Sequence, residues 1–306
     1  MTTSDLLHPD IAKTIEAIPF PTISVDTLPL MRGFEMPRPP LSDAVVRTDV
    51  IISEDPLLVV RVHRPTDVSG ALPCLFSIHG GGYVLGTNAM DDARFDRWCP
   101  MYRCVGVSVD YRLAPETTFP GPLEDCYAGL RWTHENADQF GIDPSRIGIG
   151  GVSAGGGLAA ALALLARDRA EVAVAFQLLE CPMLDDRQAT PSSRMDDLAI
   201  WSRDSNTFGW QSYLGSLYGS DEVPGYAAPA HAMDLVGLPP AFVAVGTVDG
   251  FRDEDIAYAT RLNQAMVPTE LHVYPGVPHG HELFPQVAPV VQWQRDVEDW
   301  LGRQLA

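Results

Sequence analysis

The stretch IGIGGVSAGGGLAAALALLA at residues 147–166 holds one reactive side chain, Ser153, between an apolar run and an alanine-rich apolar run. A strand-to-helix turn needs only one or two glycines, and further glycines weaken the first turn of the helix that follows. Glycine nevertheless surrounds this serine, at positions 150, 151, 155, 156 and 157. We therefore expect backbone segments to approach each other closely around a serine that must stay reachable.

The segment GVSAG at 151–155 matches the pattern G-x-S-x-G between a predicted strand and a predicted helix, which is the context of a nucleophile elbow. Such an elbow lifts the serine hydroxyl above the sheet, and a β-carbon at Gly151 or Gly155 would collide with neighbouring chain. The helix N-terminus then points free N–H groups at negative charge that develops on a substrate. A glycine-rich turn also fits the pattern, but the strand–turn–helix context favours a nucleophilic Ser153.

The segment HGGGY at 79–83 directly follows a predicted strand. Its glycines allow the N–H groups of Gly81 and Gly82 to point into a cavity, and with the N–H of Ala154 they predict an oxyanion hole. The alternative is a phosphate-binding glycine loop, but the loop lacks both G-x-x-x-x-G-K-[ST] and G-x-G-x-x-G. We expect His79 to anchor this loop rather than to act as a base.

A nucleophilic serine needs a base and a carboxylate that orients the base. In a fold with a nucleophile elbow the chain order is serine, acid, histidine. Asp249 and His279 stand at the carboxyl ends of the last two predicted strands, where such sites form. They are the predicted acid and base. His281 remains an alternative base, and Asp253 is expected to be a helix-start acid, as is Asp255.

Short apolar runs alternate with amphipathic helical patterns along most of the chain, which predicts a mostly parallel sheet with helices on both faces. VVRTDVII (45–52) and LLVVRVHRP (57–65) are alternating runs joined by a short turn, so they predict an antiparallel entry to the sheet. A helix is predicted over residues 9–18. Between 183 and 239 the alternation breaks, and an insertion of that length is typical of a functional lid.

Composition argues against several classes of function. Forty acidic against 21 basic side chains give a formal net charge of −19, which disfavours nucleic-acid and anionic-membrane binding. The 5 cysteines include no C-x-x-C pair, so we expect no disulfide framework and no zinc site. The N-terminus lacks the basic start of a signal peptide, and the apolar run at 158–166 is too short to cross a bilayer. We therefore expect a soluble, cytoplasmic protein that needs no metal or other cofactor.

Together these motifs resemble the bacterial esterases related to hormone-sensitive lipase, within the α/β-hydrolase superfamily. The resemblance covers almost the whole chain and rests on HGGG, GxSAGG, DYRLAPE (110–116) and YPGVPHGH (274–281). It implies an α/β-hydrolase fold with a small helical cap and the same triad and oxyanion donors, and it is compatible with a homodimer. The implied divisions are a cap from 1–45 and 185–225, and a catalytic domain from 46–184 and 226–306.

Two departures from the family pattern lie near the predicted site. Most relatives carry Asp beside the nucleophile, where this chain has Val152, and many have Asp-Pro-Leu where this chain has Asp249, Gly250 and Phe251. The first change is expected to alter the support of the HGGG loop or the acyl pocket. The second is expected to reshape the loop that holds Asp249.

The resulting prediction is a serine carboxylesterase that hydrolyses short-acyl esters of moderately bulky or aryl alcohols through an acyl-enzyme. The short-acyl preference is implied by the resemblance, and the alcohol preference follows from aromatic residues in the cap, which also fit a packed cap core. A lactonase, amidase or acyltransferase would use the same site, whereas a receptor of this fold would have lost the histidine. The predicted substrate contacts are Tyr83, Val152, Trp201, Phe208, Trp210 and Phe251.

Overall fold

An eight-stranded sheet runs through the protein in the computed structural model, which describes residues 3–17, 20–34 and 39–306. β2 pairs antiparallel with both of its neighbours, and the other neighbouring pairs are parallel. The order across the sheet is β1-β2-β4-β3-β5-β6-β7-β8. These strands are β1 (Val45–Glu54), β2 (Leu57–Pro65), β3 (Leu72–Ile78), β4 (Val105–Asp110), β5 (Ile142–Val152), β6 (Gln177–Glu180), β7 (Ala241–Val248) and β8 (Thr269–Pro278).

Helices cover both faces of this sheet. Side chains of α4, α6 and α8 belong to one buried apolar cluster, and those of α3 and α9 belong to a second one. Helices, sheet and helices thus form three layers, with apolar side chains packed between them, as expected for strands that are buried on both faces. The helices are α1 (Pro9–Ala17), α2 (Leu28–Arg32), α3 (Asp92–Tyr102), α4 (Gly121–Glu135), α5 (Ala137–Phe140), α6 (Ala154–Arg169), α7 (Arg203–Leu214), α8 (Arg252–Gln264) and α9 (Ala288–Leu305).

The centre of the core is formed by β3, β5 and α6. Every residue of β3 is buried, and α6 is buried without interruption from Ala154 to Ala166. Glycine and alanine dominate the first half of α6, so the helix axis can lie close to the sheet. This close approach places the start of α6 at the carboxyl ends of the central strands.

The predicted α/β-hydrolase architecture is confirmed, including the antiparallel entry through β1 and β2. Some boundaries differ from the predicted ones. β6 is confined to Gln177–Glu180, and the helix predicted over 9–18 is Pro9–Ala17, with position 18 outside the described residues. The division into cap and catalytic domain stays a prediction, and so does the homodimer.

All five cysteines are buried and unpaired, Cys74 and Cys181 with 0% exposure among them. Within the described ranges, no helix is both long enough and apolar enough to cross a lipid bilayer.

Candidate active site

Ser153 occupies the turn between β5 and α6. Its φ of 59° and ψ of −122° lie in a region that residues with a β-carbon rarely adopt. The N–H of Ser153 donates to the Glu180 carbonyl at 2.9 Å, and the Ser153 carbonyl accepts from the N–H of Met183 at 2.9 Å. These bonds on both sides hold the strained turn in place, with the side chain 5% exposed.

The glycines beside Ser153 are required because backbone atoms lie against them. A β-carbon at Gly151 would lie 2.3 Å from the carbonyl oxygen of Gly155. A β-carbon at Gly155 would lie 2.0 Å from the carbonyl oxygen of Ile78, at the end of β3. Both distances are far below van der Waals contact, and backbone atoms cannot rotate away as a side chain can. The glycines therefore let β3, β5 and α6 meet behind the serine.

Asp249 and His279 follow directly after β7 and β8, so parallel strands bring both to the sheet edge that carries Ser153. His279 Nδ1 donates to Asp249 Oδ2 at 2.8 Å, which leaves Nε2 to accept from Ser153 Oγ at 2.9 Å. The other oxygen of Asp249 accepts from the N–H of Phe251 at 2.9 Å. The structure thus joins the three predicted catalytic side chains in one chain of hydrogen bonds.

The surroundings of His279 favour its charged form. Burial lowers the pKa of this imidazole, but the charge of Asp249 and the hydrogen bond to it, together with the charge of Glu282, outweigh burial and raise the pKa above its ordinary value. Asp249 is only 1% exposed, so little water screens its charge. A histidine in this setting can accept a proton from the serine and later return it.

The HGGG loop lies beside the serine turn. Gly81 and Gly82 have φ values of 114° and 60°, which favour glycine, and a β-carbon at Gly80 would lie 3.4 Å from Ser153 Cβ. Over the described parts of the chain, the N–H groups of Gly81, Gly82 and Ala154 donate to no backbone carbonyl. Unpaired N–H donors beside a nucleophile are what an oxyanion hole requires.

His79 anchors this loop, as predicted from the sequence. Its Nδ1 donates to the Gly80 carbonyl at 2.8 Å, and its ring stacks on Tyr111 with centroids 4.2 Å apart. The Tyr111 hydroxyl donates back to the His79 carbonyl at 3.1 Å. Burial lowers the pKa of His79 to about 4, so its ring is neutral near pH 7.

Comparisons with known proteins agree with this geometry. The sequence profile of a family described as alpha/beta hydrolase fold matches residues 75–283. The chain is 40% identical to the carboxylesterase NlhH of Mycobacterium tuberculosis over 233 residues, and these residues cover 75% of this chain and 73% of NlhH. The esterase LipI of the same organism is 32% identical over 298 residues, covering 92% of this chain and 90% of LipI. A solved structure of a bacterial heroin esterase has a TM-score of 0.92 and 39% identity, with 100% of both chains covered.

The chain belongs to the hormone-sensitive-lipase-like family of α/β-hydrolases. It is a carboxylic ester hydrolase. Within this family, the stretches ETTFPGP (116–122) and LECPMLDDR (179–187) also indicate a resemblance to bacterial heroin esterase.

In this esterase, the irregular segment LAIW at 198–201, which we call the strap, lies across the catalytic loops. Three of its side chains each face a glycine in a different loop. These are the acid loop, which follows β7 and carries Asp249, the histidine loop, which follows β8 and carries His279, and the HGGG loop. A β-carbon at these glycines would lie 3.1, 3.0 and 2.0 Å from the strap. The facing pairs are Leu198 with Gly250, Ile200 with Gly280, and Trp201 with Gly82.

The chain on either side of the strap is anchored by hydrogen bonds. Six residues before the strap, Ser192 Oγ donates to the carbonyl of Gly250 at 3.0 Å, and the N–H of Ser192 donates to Asp253 Oδ2 at 2.7 Å. Directly after the strap, Ser202 caps α7 by accepting from the N–H of Ser205 at 3.1 Å. The strap therefore lies against the three loops between two anchored segments of chain.

Two predicted substrate contacts are buried among other aromatic rings. Tyr83 and Trp210 are 1% and 0% exposed, and Tyr83 stacks on Tyr213 with centroids 4.0 Å apart. The hydroxyl of Tyr83 donates to the Met183 carbonyl at 3.1 Å. Both rings thus pack within the protein, and their contact with substrate stays a prediction.

The other four predicted contacts lie nearer the catalytic residues or remain partly exposed. Phe251 is 1% exposed and packs edge-on against the ring of His279, with centroids 5.0 Å apart. Trp201 and Phe208 are half-buried, as is Val152, which packs on the second core cluster. Their contact with substrate stays a prediction.

The alternative base and the helix-start acids lie elsewhere. His281 is 2% exposed and stacks on Trp293 with centroids 3.8 Å apart, so its ring does not face Ser153. Asp253 and Asp255 stand in the first turn of α8 as expected, although Asp255 is fully buried. Sequence reasoning missed the strap and the buried Glu180, whose only signal was an acid inside the apolar run LLECP.

Among the residues that the structure describes, two groups of side chains have donor atoms close enough to share a metal ion. In the first, Cys181 joins Asp249 and His279, which already bond to each other. In the second, Asp186 accepts from His231 at 2.7 Å, while Asp185 is paired with Arg187. Each charged group thus has a protein partner, and none of the chemistry below uses a metal.

Proposed function

We propose that this protein is a serine carboxylesterase that hydrolyses short-acyl esters of moderately bulky or aryl alcohols. The observation that carries the proposal is the chain of bonds from Ser153 Oγ to His279 Nε2 at 2.9 Å and from His279 Nδ1 to Asp249 at 2.8 Å. In this order a hydroxyl, an imidazole and a carboxylate perform acyl transfer on several unrelated folds. The small-molecule ester would be its partner.

In the first half of the reaction, His279 takes the proton of Ser153 as Oγ attacks the ester carbonyl. Asp249 holds the proton on Nδ1 and stabilises the imidazolium that forms. The tetrahedral intermediate collapses, the bond to the alcohol oxygen breaks, and His279 gives its proton to the leaving alcohol. Water then repeats these steps on the acyl-enzyme, which releases the acid and restores Ser153.

The N–H groups of Gly81, Gly82 and Ala154 are the proposed donors to the oxyanion. They are held before the reaction begins, since positive φ angles and close backbone contacts fix both glycine loops. Removing one oxyanion donor raises the barrier by about 3 kcal/mol in enzymes of this type. A rigid loop that holds these donors in place therefore contributes to the rate in addition to the triad.

The strap supports the choice of substrate. The six-membered ring of Trp201 lies against Gly82, so it limits the space next to the proposed oxyanion hole. A small acyl group fits such a confined space better than a long chain. The half-buried rings of Trp201 and Phe208 offer an apolar surface for the alcohol part, and a bacterial heroin esterase is among the similar structures.

The test combines labelling with a substrate panel. Ser153→Ala is expected to abolish hydrolysis of p-nitrophenyl acetate while circular dichroism and Tm stay unchanged. A phosphonate is expected to add once, at Ser153, in intact mass and peptide mapping. Turnover by Ser153→Ala, or labelling at another residue, would show a different nucleophile.

The panel varies acyl length and alcohol bulk and includes lactones, anilides and an acceptor alcohol. Acetyl esters of aryl alcohols are expected to have the highest kcat/KM. A higher kcat/KM for lactones or anilides, or transfer to the alcohol in place of hydrolysis, would reassign the reaction to a lactonase, amidase or acyltransferase.

A further inference from the structure

Behind the triad lies a buried carboxylate that the proposed mechanism does not use. Glu180, the last residue of β6, is 1% exposed. One of its oxygens pairs with Arg94, and the other accepts from Trp293 Nε1 at 2.9 Å. A carboxylate buried in this way is ionised and firmly held, because a charge inside a protein persists only with partners.

His281 is the third partner of this carboxylate. Its Nε2 lies 3.6 Å from Glu180 Oε2, and its ring stacks on Trp293 with an interplanar angle of 14°. A single residue, Gly280, separates His281 from His279. The contacts of His281 therefore fix where the histidine loop leaves β8.

The main chain of Glu180 contacts the nucleophile turn at the same time. Its carbonyl accepts the N–H of Ser153 at 2.9 Å, and β6 pairs with β5 so that Glu180 lies opposite Val152. One residue thus touches the serine turn through its backbone and the histidine loop through its side chain. The next residue, Cys181, has its sulfur within 4.8 Å of the Asp249 carboxylate and the His279 ring.

We propose that Glu180 and His281 form a positioning pair that fixes the distance between the catalytic base and the nucleophile. The proposal rests on the proposed function, since it assigns these residues a role in the same reaction. Neither residue touches the reacting atoms. Each acts through a neighbour: Glu180 through the amide of Ser153, and His281 through the loop that carries His279.

The charges around the pair support this role. Burial raises the pKa of Glu180, but the charge of Arg94 and the contact with His281 outweigh burial and lower it to about 2. The Nδ1 of His281 lies 3.6 Å from Glu282, so carboxylates face both nitrogens of the ring. An aromatic ring without nitrogen atoms would keep the stack on Trp293 and lose both contacts with the carboxylates.

His281→Phe is the central test, because it keeps the stack and removes the contact with Glu180. A displacement of about 1 Å between base and nucleophile costs on the order of a hundredfold in rate. We expect kcat for p-nitrophenyl acetate to fall roughly tenfold to a hundredfold, with KM changed less than about threefold. The acid limb of kcat/KM against pH is expected to shift, since the environment of His279 changes.

The matched control is His272→Phe. His272 lies on β8 and, like His281, stacks on an aromatic ring, at 4.9 Å, and faces two carboxylates, those of Glu270 and Asp296; in the described part of the chain these partners lie outside the loops that carry Asp249 and His279. This variant is expected to keep kcat, KM and the pH profile of the unmodified enzyme. Phosphonate titration gives the concentration of active sites, so that kcat refers to folded enzyme in every variant.

The double-mutant cycle uses Glu180→Gln, with His281→Asn as a second replacement if His281→Phe does not fold. If the residues act as a pair, the double variant loses no more than about threefold beyond the worse single variant. Normal kcat per titrated site with an unchanged pH profile, whatever the loss in Tm, would overturn the proposal. Failure of the unmodified enzyme to react with phosphonate would instead overturn the proposed function.

Discussion

Gly155 provides a direct test of why glycine surrounds the nucleophile. Gly155→Ala adds one methyl group and removes no chemical group. That methyl carbon would lie 2.0 Å from the carbonyl oxygen of Ile78 and 2.5 Å from that of His79. Both oxygens belong to the end of β3 and the start of the HGGG loop, so relief of the clash requires the loop and the serine turn to separate.

The magnitude follows from how far these segments must move. Contact between carbon and oxygen needs more than 3 Å, so about 1 Å of separation is required. Overpacking of this kind costs about 3 kcal/mol at the upper end of the usual range, which corresponds to roughly 5 °C in Tm for a chain of this size. A 1 Å displacement of the proposed oxyanion donors is expected to lower kcat/KM on the order of a hundredfold.

The control is Gly302→Ala in α9, where the added methyl would lie 3.4 Å from the side chain of Tyr102. The same substitution is there expected to stabilise the helix by about 1 kcal/mol and to leave kcat/KM unchanged. Differential scanning calorimetry and p-nitrophenyl acetate hydrolysis measure both variants. A Gly155→Ala enzyme with the Tm and kcat/KM of the unmodified protein would refute the steric reasoning.

Three further outcomes are expected. Asp249→Asn is expected to lower kcat about 10⁴-fold. Because the Asp249 carboxylate raises the pKa of His279, the acid limb of the residual kcat/KM is expected to move to lower pH, and an unmoved limb would contradict the assignment. Trp201→Ala is expected to raise the ratio of kcat/KM for the hexanoate ester to kcat/KM for the acetate ester at least about tenfold, whereas Trp132→Ala on α4 is expected to leave this ratio unchanged. The same ratio in both variants would exclude the strap as a limit on acyl length. Burial and the charge of Arg61 lower the pKa of His63 from 6.5 to about 3, so the unfolded chain takes up a proton that the folded state does not bind. Tm is therefore expected to fall as the pH drops from 6.5 towards 3, and to fall less steeply in His63→Leu. Parallel curves of Tm against pH for the two proteins would refute this reasoning.

The proposed triad was accessible from sequence because each member has a local signature. Ser153 stands in a glycine pattern at a strand–helix junction, and Asp249 and His279 each follow directly on an apolar strand. Parallel strands bring their carboxyl ends to one edge, so residues far apart in the chain were expected to meet. The fold followed from the same alternation of strands and helices.

The strap and the Glu180–His281 pair were not accessible in the same way. Residues 198–201 have no periodic pattern, and they meet the three loops at glycines, which have no side chain that would indicate the contact. Glu180 is one acid within an apolar strand, and only the stacking of His281 on Trp293 from α9 brings the second histidine to it. The burial of Tyr83 and Trp210 was also not accessible, since the residue type does not reveal whether an aromatic ring faces a ligand or another ring.

The contacts of the strap with glycine separate two properties of the enzyme along the chain. Leu198, Ile200 and Trp201 meet these loops at glycines, so a smaller residue in the strap leaves no side chain at those three loop positions without a partner. In the proposed mechanism proton transfer depends on residues 153, 249 and 279, while the four consecutive positions of the strap are proposed to limit entry of the ester. A library confined to those four codons would therefore sample new ester preferences while the catalytic residues stay untouched, and natural drift in the same segment would diversify relatives by the same route.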